Sequence, residues 1–374
     1  MSKLDDLIKK LCPNGVEFHS VEDVANVARG VRVVRSQLAD QGSYPVFQNS
    51  LTPMGYYEKQ NCNADTAFII AAGAAGEIGY SYSDFWAADD CYFFKCSKAL
   101  SSRYLYHMLL WKQPFLKSRV RKASIPRLSR DHIEQLSIPV PPLPVQEEIV
   151  RILDSFTKLE AELEAELEAR RRQYEYYRDK LLNFNELDKA KSGGVKLMAL
   201  GEIADIGTGS SNTNEELIQG LYPFFVRSQE VRWKNSYEFD ETAIITSGDG
   251  VGVGKVFHFV EGKYALHQRA YRIHITDDAV FPKYFFHYMK TNFLVHITKN
   301  AVHSSVTSIR RPMLEKFIVP VPSMEKQKRI VSILDRFDTL VNDLTSGLPA
   351  EIKARRQQYE YYRDKLLTFS PLQG

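Results

Sequence analysis

The stretch ARRRQYEYYRDKLL at residues 169–182 returns as ARRQQYEYYRDKLL at residues 354–367. One position differs, with Arg172 in the first copy and Gln357 in the second. The stretch contains no glycine or proline and is rich in good helix formers, so both copies are predicted to be helical. Such a repeat constrains the architecture of the whole chain, because each copy must form the same unit of structure.

The repeat continues on the N-terminal side of both copies. Residues 138–141, Ile-Pro-Val-Pro, match residues 319–322, Val-Pro-Val-Pro, and a glutamine and an Ile-Val-x-Ile-Leu-Asp motif follow each. Fainter matches run through the rest of each half: Gly15 with Gly194, Val24–Val27 with Ile203–Ile206, Gly30 with Gly209, Tyr44–Phe47 with Tyr222–Phe225, and Gly73–Gly79 with Gly248–Gly254. Between these markers the halves diverge, which is typical of one scaffold adapted to two different targets.

The first repeated segment is predicted to be one long helix. After Pro144 no glycine or proline occurs until beyond residue 184. Apolar residues recur at spacings that mostly alternate between three and four, as in a coiled-coil seam, with a break between Leu163 and Leu167. The predicted seam consists of Ile149, Ile152, Phe156, Leu159, Leu163, Leu167, Tyr174, Tyr177, Leu181 and Phe184. A helix of this length spans about 60 Å. We therefore expect a spacer of fixed length.

The second helix, over residues 324–369, is expected to be interrupted. The offset between matching residues is 181 for Ile149 and Ile330 but 185 for Tyr174 and Tyr359, so about one turn is inserted near residues 347–349, Gly-Leu-Pro. Glycine and proline there predict a break or a kink. The predicted seam of this helix consists of Ile330, Ile333, Phe337, Leu340, Leu344, Ile352, Tyr359, Tyr362, Leu366 and Phe369.

Two matching helices in tandem copies are most simply buried by packing antiparallel about a pseudo-two-fold axis. The alternative is that each helix folds back on its own domain. The residues predicted to pack the helix pair are Ile149, Ile152, Phe156, Leu163, Tyr174, Tyr177, Leu181, Ile330, Ile333, Phe337, Tyr359, Tyr362 and Leu366.

The remainder of each half is predicted to be a globular domain of mixed α and β structure. Short β-type runs such as 67–70 and 241–245 are broken by glycine loops and followed by helices near 104–116 and 283–296. The predicted fold class is α+β, with two globular domains separated by two long antiparallel coiled-coil helices in a pseudo-two-fold internal repeat. The predicted boundaries are 1–140 and 194–320 for the domains, 141–184 and 321–370 for the helical spacers, and 185–193 for a linker.

The composition predicts a folded protein of the cytoplasm. The net charge of +3 is compatible with a nucleic-acid partner without identifying one. The N-terminus has no signal-peptide pattern, and no apolar stretch approaches the roughly 20 residues needed to cross a membrane. The cysteines, Cys12, Cys62, Cys91 and Cys96, form no C-x-x-C pair, so we expect reduced thiols and no zinc site.

Arginine and amide side chains in predicted loops are candidates for contacts with double-stranded DNA. Arginine binds phosphate and reads guanine, whereas asparagine and glutamine read adenine. The predicted DNA-binding residues are Arg29, Arg32, Arg35, Gln48, Asn49, Lys122, Arg127, Arg130, Arg227, Gln229, Arg232, Gln268, Arg269, Arg310 and Arg311. For any one of them an ordinary solvated role is the competing interpretation.

Other motifs are interpreted as structural. The run Gly248–Lys255 departs from a phosphate-binding loop at Asp249 and Val256, so a glycine-rich hairpin is predicted. His287, His296 and His303 lack the regular spacing of a metal motif, and Asp89–Asp90 has no carboxylate counterpart in the other half. We therefore predict no metal site and no catalytic residue.

Together, the duplicated plan, the proline-rich helix entry at 138–154 with its copy at 319–335, and the two tyrosine-rich runs resemble type I restriction-modification specificity subunits. The likeness covers essentially the whole chain. It implies a bipartite, asymmetric DNA site, of which each variable domain reads one half, while the helices set the gap. It also implies docking of two modification subunits and, for cleavage, of restriction subunits.

The same resemblance implies that chemistry and cofactors belong to the partners. Modification subunits would methylate adenine N6 with S-adenosylmethionine after flipping the base, and restriction subunits would use ATP and magnesium. Two alternatives stay open. A stand-alone DNA-modifying or DNA-cleaving enzyme would need a methyltransferase or nuclease motif, and the sequence has neither. A purely structural coiled-coil or antirestriction protein would bind DNA without sequence preference.

Overall fold

A computed structural model describes residues 3–184, 195–299 and 308–373. The predicted linker at 185–193 and His303 lie outside these ranges. The chain divides into two compact units, which we call unit 1 (Met1–Glu164 with Glu351–Gly374) and unit 2 (Ala165–Ala350). The division falls inside the long helix that starts at Leu143, and the last segment of the chain belongs to unit 1.

Unit 1 combines helices with small sheets that are antiparallel except for the parallel pair of β3 and β7. Its strands are β1 (Phe18–Ser20), β2 (Ala25–Arg29), β3 (Tyr44–Phe47), β4 (Tyr56–Tyr57), β5 (Thr66–Ile70), β6 (Ile78–Ser81), β7 (Trp86–Ala87), β8 (Cys91–Cys96) and β9 (Ser137–Pro139). Its helices are α1 (Lys3–Leu11), α2 (Val21–Val24), α3 (Ser102–Ser118), α4 (Arg130–Glu134) and the first part of α5 (Leu143–Leu182), with a 3₁₀ turn at Arg35–Gln37. The strand orders are β1-β9, β2-β8-β5-β6 and β4-β3-β7.

Unit 2 repeats this arrangement with longer strands. Its strands are β10 (Lys196–Ala199), β11 (Ala204–Thr208), β12 (Tyr222–Phe225), β13 (Arg232–Lys234), β14 (Phe239–Ser247), β15 (Phe257–Leu266), β16 (Ala270–Ile275) and β17 (Ile318–Val321). Its helices are α6 (Leu200–Ile203), α7 (Pro282–Lys299), α8 (Arg311–Glu315) and α9 (Met324–Asn342), with a 3₁₀ turn at Thr213–Glu215, and α10 (Leu348–Leu367) follows α9 and lies mostly in unit 1.

The internal repeat extends to the sheet topology. The order β11-β16-β14-β15 reproduces β2-β8-β5-β6, and the pair β10-β17 reproduces β1-β9. The apolar runs predicted as strands lie in β5 and β14, and the predicted helices are α3 and α7. The α+β fold class and the pseudo-two-fold repeat are therefore confirmed.

Each domain core forms where one helix packs on the four matching strands. In unit 1, Tyr104 and Met108 on one face of α3 are fully buried together with Ile69 of β5. In unit 2, Phe285 and Met289 of α7 are buried with Ile244 of β14 in the same way. Side chains at spacings of three and four lie on one helix face, so a single stripe of α3 or α7 closes the core.

Helix α5 buries two different faces. Within unit 1, Val145, Ile149 and Leu153, each four residues from the next, are fully buried in the domain core. Another face meets α10, where the rings of Phe156 and Tyr362 stack with centroids 5.5 Å apart. Leu366 and Leu367 of α10 also join this core. The first part of α5 therefore contacts both its own domain and α10. We call the two helical spacers the arms: α5 is the first arm, and α9 with α10 is the second.

The second part of α5 packs on α9 within unit 2. Phe337 of α9 lies with its ring centroid 6.2 Å from Tyr174 and 5.7 Å from Tyr177. Lys326, near the start of α9, lies over the ring of Phe184 at 5.4 Å, after the end of α5. Residue numbers thus rise along one helix as they fall along the other. The predicted antiparallel pairing is confirmed, and the alternative in which each helix contacts its own domain alone is wrong.

The second arm is broken where glycine and proline predict it. Helix α9 ends at Asn342 and α10 begins at Leu348. In the intervening turn the Asp343 carboxylate accepts hydrogen bonds from the backbone N–H and the hydroxyl of Thr345 at 2.7 and 2.6 Å, and from the Ser346 hydroxyl at 2.6 Å. Leu344, which the spacing placed in the seam, is 76% exposed because it belongs to this turn.

Shortening one of the α5 side chains that are buried in the domain core is expected to destabilise unit 1. Leu153→Ala removes a fully buried side chain and leaves a cavity, so the free energy of unfolding should fall by about 2–5 kcal/mol. Glu162→Ala, at an exposed site of the same helix, should change it by less than about 0.5 kcal/mol. Equal effects of the two substitutions in urea unfolding would contradict the burial of this stripe.

Candidate nucleic-acid interface

In each unit a buried histidine of the core helix contacts an aspartate of the arm. His107 Nε2 of α3 lies 2.7 Å from Asp154 Oδ1 of α5, and Arg103 pairs with the same carboxylate at 2.8 Å. In unit 2, His287 Nε2 lies 2.9 Å from Asp335 Oδ1 of α9. Two halves that differ in most loop residues therefore keep the same polar contact between domain and arm.

A buried glutamine at the start of each arm provides a second polar contact between the arm and its domain. The Gln146 side chain accepts a hydrogen bond from Ser101 N at 2.8 Å and donates to Ala99 O at 2.8 Å and Pro141 O at 2.7 Å. Gln327 repeats all three bonds in unit 2, each at 2.8 Å. A buried amide is costly unless its donors and acceptor are satisfied, so these bonds fix the register of each arm on its domain.

Four loop segments meet at equivalent places in both units. In unit 1 they come at the end of β3, after β5, before β8 and before α4. In unit 2 they come at the end of β12, after β14, before β16 and before α8. In unit 1 these segments are residues 47–49, 71–74, 88–90 and 127–128, called loop cluster 1. In unit 2 they are residues 225–227, 248–251, 267–269 and 308–309, called loop cluster 2.

Matching backbone hydrogen bonds establish which residues of the two clusters are equivalent. Ala71 N donates to Asp90 O at 2.7 Å, and Gly248 N donates to Arg269 O at 2.9 Å. Two more bonds of unit 1, each 2.8 Å long, have a counterpart of 2.9 Å in unit 2. Leu128 N donates to Ala71 O as Ile309 N donates to Gly248 O. Ala88 N donates to Phe47 O as His267 N donates to Phe225 O. The backbone is therefore shared although the side chains differ. Gly248 is equivalent to Ala71, so the sequence pairing of Gly73 with Gly248 is out of register by two residues.

Loop cluster 1 surrounds the turn at Asp89 and Asp90. Arg29 donates to Asp89 O at 2.8 Å, and Gln48 Nε2 lies 3.3 Å from Asp89 Oδ1. A guanidinium nitrogen of Arg127 lies 3.8 Å from Asp90. The structure thus brings together four of the predicted DNA-binding residues: Arg29, Gln48, Arg127 and, through its place in the cluster, Asn49.

Loop cluster 2 is centred on a single carboxylate. Asp249 pairs with Arg227 at 2.6 Å and with Arg269 at 3.2 Å. Burial tends to raise the pKa of Asp249, but the bond from Arg227 and the charges of both arginines outweigh it and lower that pKa. The carboxylate is therefore ionised and holds two exposed guanidinium groups, one on each of its oxygens. Arg227 and Asp249 line a cleft of about 390 Å³ together with Arg232.

The glycine-rich run at 248–255 is the connection between β14 and β15, which are paired antiparallel. Gly250 and Gly254 have φ angles of +80° and +69°, which glycine adopts without strain. The predicted hairpin is therefore confirmed. Val251 at its tip is 96% exposed, so the loop presents its apex to solvent.

Known proteins match this chain along nearly all of its length. The family model described as a type I restriction modification DNA specificity domain matches twice, at residues 13–169 and 193–354. The chain belongs to the type I restriction-modification specificity subunits. The two matches follow the two halves of the internal repeat.

Named relatives agree with the family match. A Haemophilus influenzae protein named as a type I restriction enzyme specificity subunit is 31% identical over 97% of this chain and 98% of its own length. The EcoR124I/EcoR124II specificity subunit of Escherichia coli is 35% identical over 63% of this chain and 64% of its own length.

The fold is also that of solved specificity subunits. The crystal structure of a type I restriction-modification S subunit from M. genitalium matches with a TM-score of 0.69 and 15% identity, covering 94% of this chain and 96% of that one. A chain from a study of complex assembly and conformational transition of the type I system matches with a TM-score of 0.55 and 14% identity, covering 95% and 98%.

The remaining predicted DNA-binding residues of this specificity subunit lie outside the two clusters or at their edges. Arg130 and Arg311 form equivalent ion pairs with Glu134 and Glu315, at 2.7 and 2.8 Å, on α4 and α8. Arg232 pairs with Glu230 at 3.0 Å. Gln268, which lies within loop cluster 2, donates a hydrogen bond to Asn212. The others are exposed: Arg32, Arg35, Lys122, Gln229 and Arg310. Contact with DNA stays a prediction for every one of the predicted residues.

The predicted arm residues lie at several depths. The buried ones are Ile149, Tyr174 and Ile330. Those that are partly buried or contribute a ring to the helix pair are Ile152, Phe156, Leu163, Tyr177, Leu181, Ile333, Phe337, Tyr359, Tyr362 and Leu366. Sequence reasoning missed Leu153 and Leu334, which are fully buried, and it missed the role of Asp249. An acidic residue inside a glycine-rich loop, next to two arginines in space, carries no local pattern that sequence alone exposes.

The described ranges contain no group of three His, Cys, Asp or Glu residues placed to hold a metal ion. Within the same ranges no helix is long and apolar enough to span a bilayer. The four cysteines are free thiols, and burial raises the pKa of Cys62 to about 12.

The two buried His–Asp contacts are expected to make the free energy of unfolding fall as the pH is lowered. Burial, against the opposing bond from its aspartate, lowers the pKa of both His107 and His287. The unfolded imidazoles then bind protons first, so stability is fully present above about pH 6.5 and declines as the pH falls below it. The pKa of Asp154 and of Asp335 is also lowered, since bonds to their partners outweigh burial, so their contribution is lost at still lower pH.

Urea unfolding between about pH 7 and pH 5 tests this expectation. The double variant His107→Gln, His287→Gln should lose part of the pH dependence of the unfolding free energy. His132→Gln, at an exposed position on α4, is the control and should keep the full dependence. An undiminished pH dependence in the double variant would show that these histidines do not titrate between the folded and unfolded states.

Proposed function

We propose that this specificity subunit directs its complex to one bipartite, asymmetric site on double-stranded DNA, with each domain binding one half-site. The observation that supports this proposal is that loop clusters 1 and 2 have the same backbone arrangement but differ in nearly every polar side chain. Arginine and amide groups are the side chains that bind phosphate and read base edges. Two unlike sets of them on one scaffold favour two unlike half-sites.

The arms serve, in this proposal, as the spacer and as the docking platform. Helix α5 is continuous over 40 residues, which corresponds to about 60 Å. Its length would set the number of unspecified base pairs in the gap. The near-identity of 169–182 and 354–367 contrasts with the divergent loops, which is expected if the arms meet the same partner twice.

An exposed tyrosine supports two equivalent docking places. Tyr176 on α5 is 61% exposed and its copy Tyr361 on α10 is 64% exposed. Each lies beside a ring of the helix pair, Tyr177 or Tyr362, at centroid distances of 5.4 Å. Exposed aromatic residues are enriched among the anchors of protein interfaces. A repeated surface favours a repeated partner, here two modification subunits.

Catalysis belongs to the partners in this proposal. The modification subunits methylate adenine N6 with S-adenosylmethionine, and restriction subunits, where present, use ATP and magnesium to cleave DNA. This chain supplies recognition and spacing alone. A methyltransferase motif and a nuclease carboxylate cluster are both missing from its sequence.

Exchange of one domain tests the assignment of half-sites. Residues 194–320 would be replaced by the matching domain of a specificity subunit with a different known target, and the host methylome would be sequenced with the modification subunit coexpressed. One half of the methylated motif should change while the other half and the gap stay as in the unaltered chain. A change in both halves, or in neither, would contradict the proposal.

Removal of the exposed tyrosines tests the docking places. Tyr361→Ala should weaken the binding of one modification subunit by roughly tenfold or more, so that native mass spectrometry shows complexes with one such subunit instead of two. Adding Tyr176→Ala should weaken the second as well. Lys158→Ala, at a highly exposed position of α5 without a lysine in the matching place, is the control. Full occupancy in the double variant would exclude these tyrosines as anchors.

A further inference from the structure

Loop clusters 1 and 2 allow the residues that read bases to be separated from those that hold the scaffold. If the two half-sites differ, as proposed above, the positions that make them differ must carry different side chains in the two copies. A position with the same side chain and the same contact in both copies serves the scaffold or binds phosphate, which is common to all sequences.

The equivalence of the backbones identifies the positions that differ. Counting from the matched hydrogen bonds, the equivalent residues are Gln48 and Val226, Asn49 and Arg227, Ala72 and Asp249, Asp89 and Gln268, Asp90 and Arg269, and Arg127 and Ser308. No side chain is kept at any of these six positions. The charge at the position of Asp90 and Arg269 is even reversed.

Arg130 and Arg311 show the opposite behaviour. Both are arginine, both begin a short helix, and both pair with a glutamate four residues later, at 2.7 and 2.8 Å. Because this arrangement is the same in both units, it cannot distinguish two half-sites. It therefore provides an internal comparison within the same surface chemistry.

In unit 2 three of the differing positions carry two arginines and the carboxylate that holds their guanidinium groups in a fixed orientation. Asp249 contacts Arg227 at 2.6 Å through one carboxylate oxygen and Arg269 at 3.2 Å through the other. The backbone of Asp249 is itself held by a bridge to Ser308, and its carbonyl oxygen accepts a hydrogen bond from the Ser247 hydroxyl at 2.8 Å. The two arginines are thus oriented before any ligand binds, which reduces the entropy lost on binding.

Arginine recognises guanine through two parallel hydrogen bonds to O6 and N7 in the major groove. The two exposed guanidinium groups present donors of that type, whereas the equivalent positions in unit 1 carry Asn49 and Asp90. We propose that Arg227 and Arg269, held by Asp249, read guanine in the half-site bound by unit 2, and that this feature is absent from the half-site bound by unit 1. The proposal rests on the proposed function, because it assumes that unit 2 binds a half-site.

Charge-conserving substitutions distinguish base reading from phosphate contact. Arg227→Lys and Arg269→Lys keep the positive charge but cannot form two parallel bonds to one base. Each is expected to reduce the preference for a guanine in the unit 2 half-site by roughly 5- to 150-fold, with the other half-site unchanged. Arg329→Lys, at an exposed position of α9 outside loop cluster 2, is the matched control and should leave every position of the motif unchanged.

The measurement is competitive binding of duplexes that differ at single base pairs, with the complete complex of specificity and modification subunits. The unchanged half-site confirms in each variant that the protein is folded and assembled. If both arginine variants keep the preference at every position of the unit 2 half-site, the inference is overturned while the proposed function stands. If the unaltered complex has no bipartite motif, the proposed function itself fails.

Asp249→Asn tests the role of the carboxylate. Removing one negative charge beside two arginines should strengthen binding to DNA of unrelated sequence while the guanine preference declines several-fold. An unchanged guanine preference in this variant would overturn the orienting role of Asp249. A preference that declines without any gain in nonspecific binding would also overturn it, because the carboxylate would then contact the DNA itself.

Discussion

The burial of α5 on two faces is the interaction on which the rest of the structure depends. Its first turns bury Val145, Ile149 and Leu153 in the core of unit 1, while other faces meet α10 in unit 1 and α9 in unit 2. In proteins most of the stability of a helix comes from tertiary packing rather than from helix propensity. This packing limits the changes that the buried positions of the arms tolerate, whereas it does not explain the identical residues at exposed positions such as Tyr176 and Tyr361.

Polar contacts at the start of each arm explain how variable loops coexist with a constant scaffold. Gln146 and Gln327 satisfy three hydrogen bonds each, and His107 and His287 each contact an aspartate of the arm. Leaving one such buried group unpaired costs about 1–3 kcal/mol, so the attachment of arm to domain has one favoured register. Side chains in the loop clusters change without disturbing that register, because they lie outside these contacts.

Much of the fold follows from the sequence because the repeat and the helical periodicity are local patterns. The break near Gly347 was predictable for the same reason, since proline and glycine act on their immediate neighbours. Which helix face meets which partner was not predictable. Leu153 and Leu334 were missed because spacings of three and four describe one seam, whereas the arm buries two adjacent stripes.

The predicted DNA-binding residues show the same limit. Residue types suited to DNA were recognisable, but Arg227, Asp249 and Arg269 are separated by about twenty residues from one to the next, and strand pairing brings them together. Asp249 appeared in the sequence as a departure from a phosphate-binding motif. Its place between two arginines depends on tertiary structure, which no short window of sequence contains.

The assignment of residues 351–374 to unit 1 has a consequence for biosynthesis. Leu367 is fully buried in the unit 1 core, and Val16 N donates to Ser370 O at 3.0 Å. Unit 2 is one continuous segment of the chain, so its core does not depend on the final helix. The nascent N-terminal domain must wait roughly ten to forty seconds for that helix at ordinary elongation rates. In the interval its apolar surface for α10 is a ready target for chaperones or for the same helix of another nascent chain.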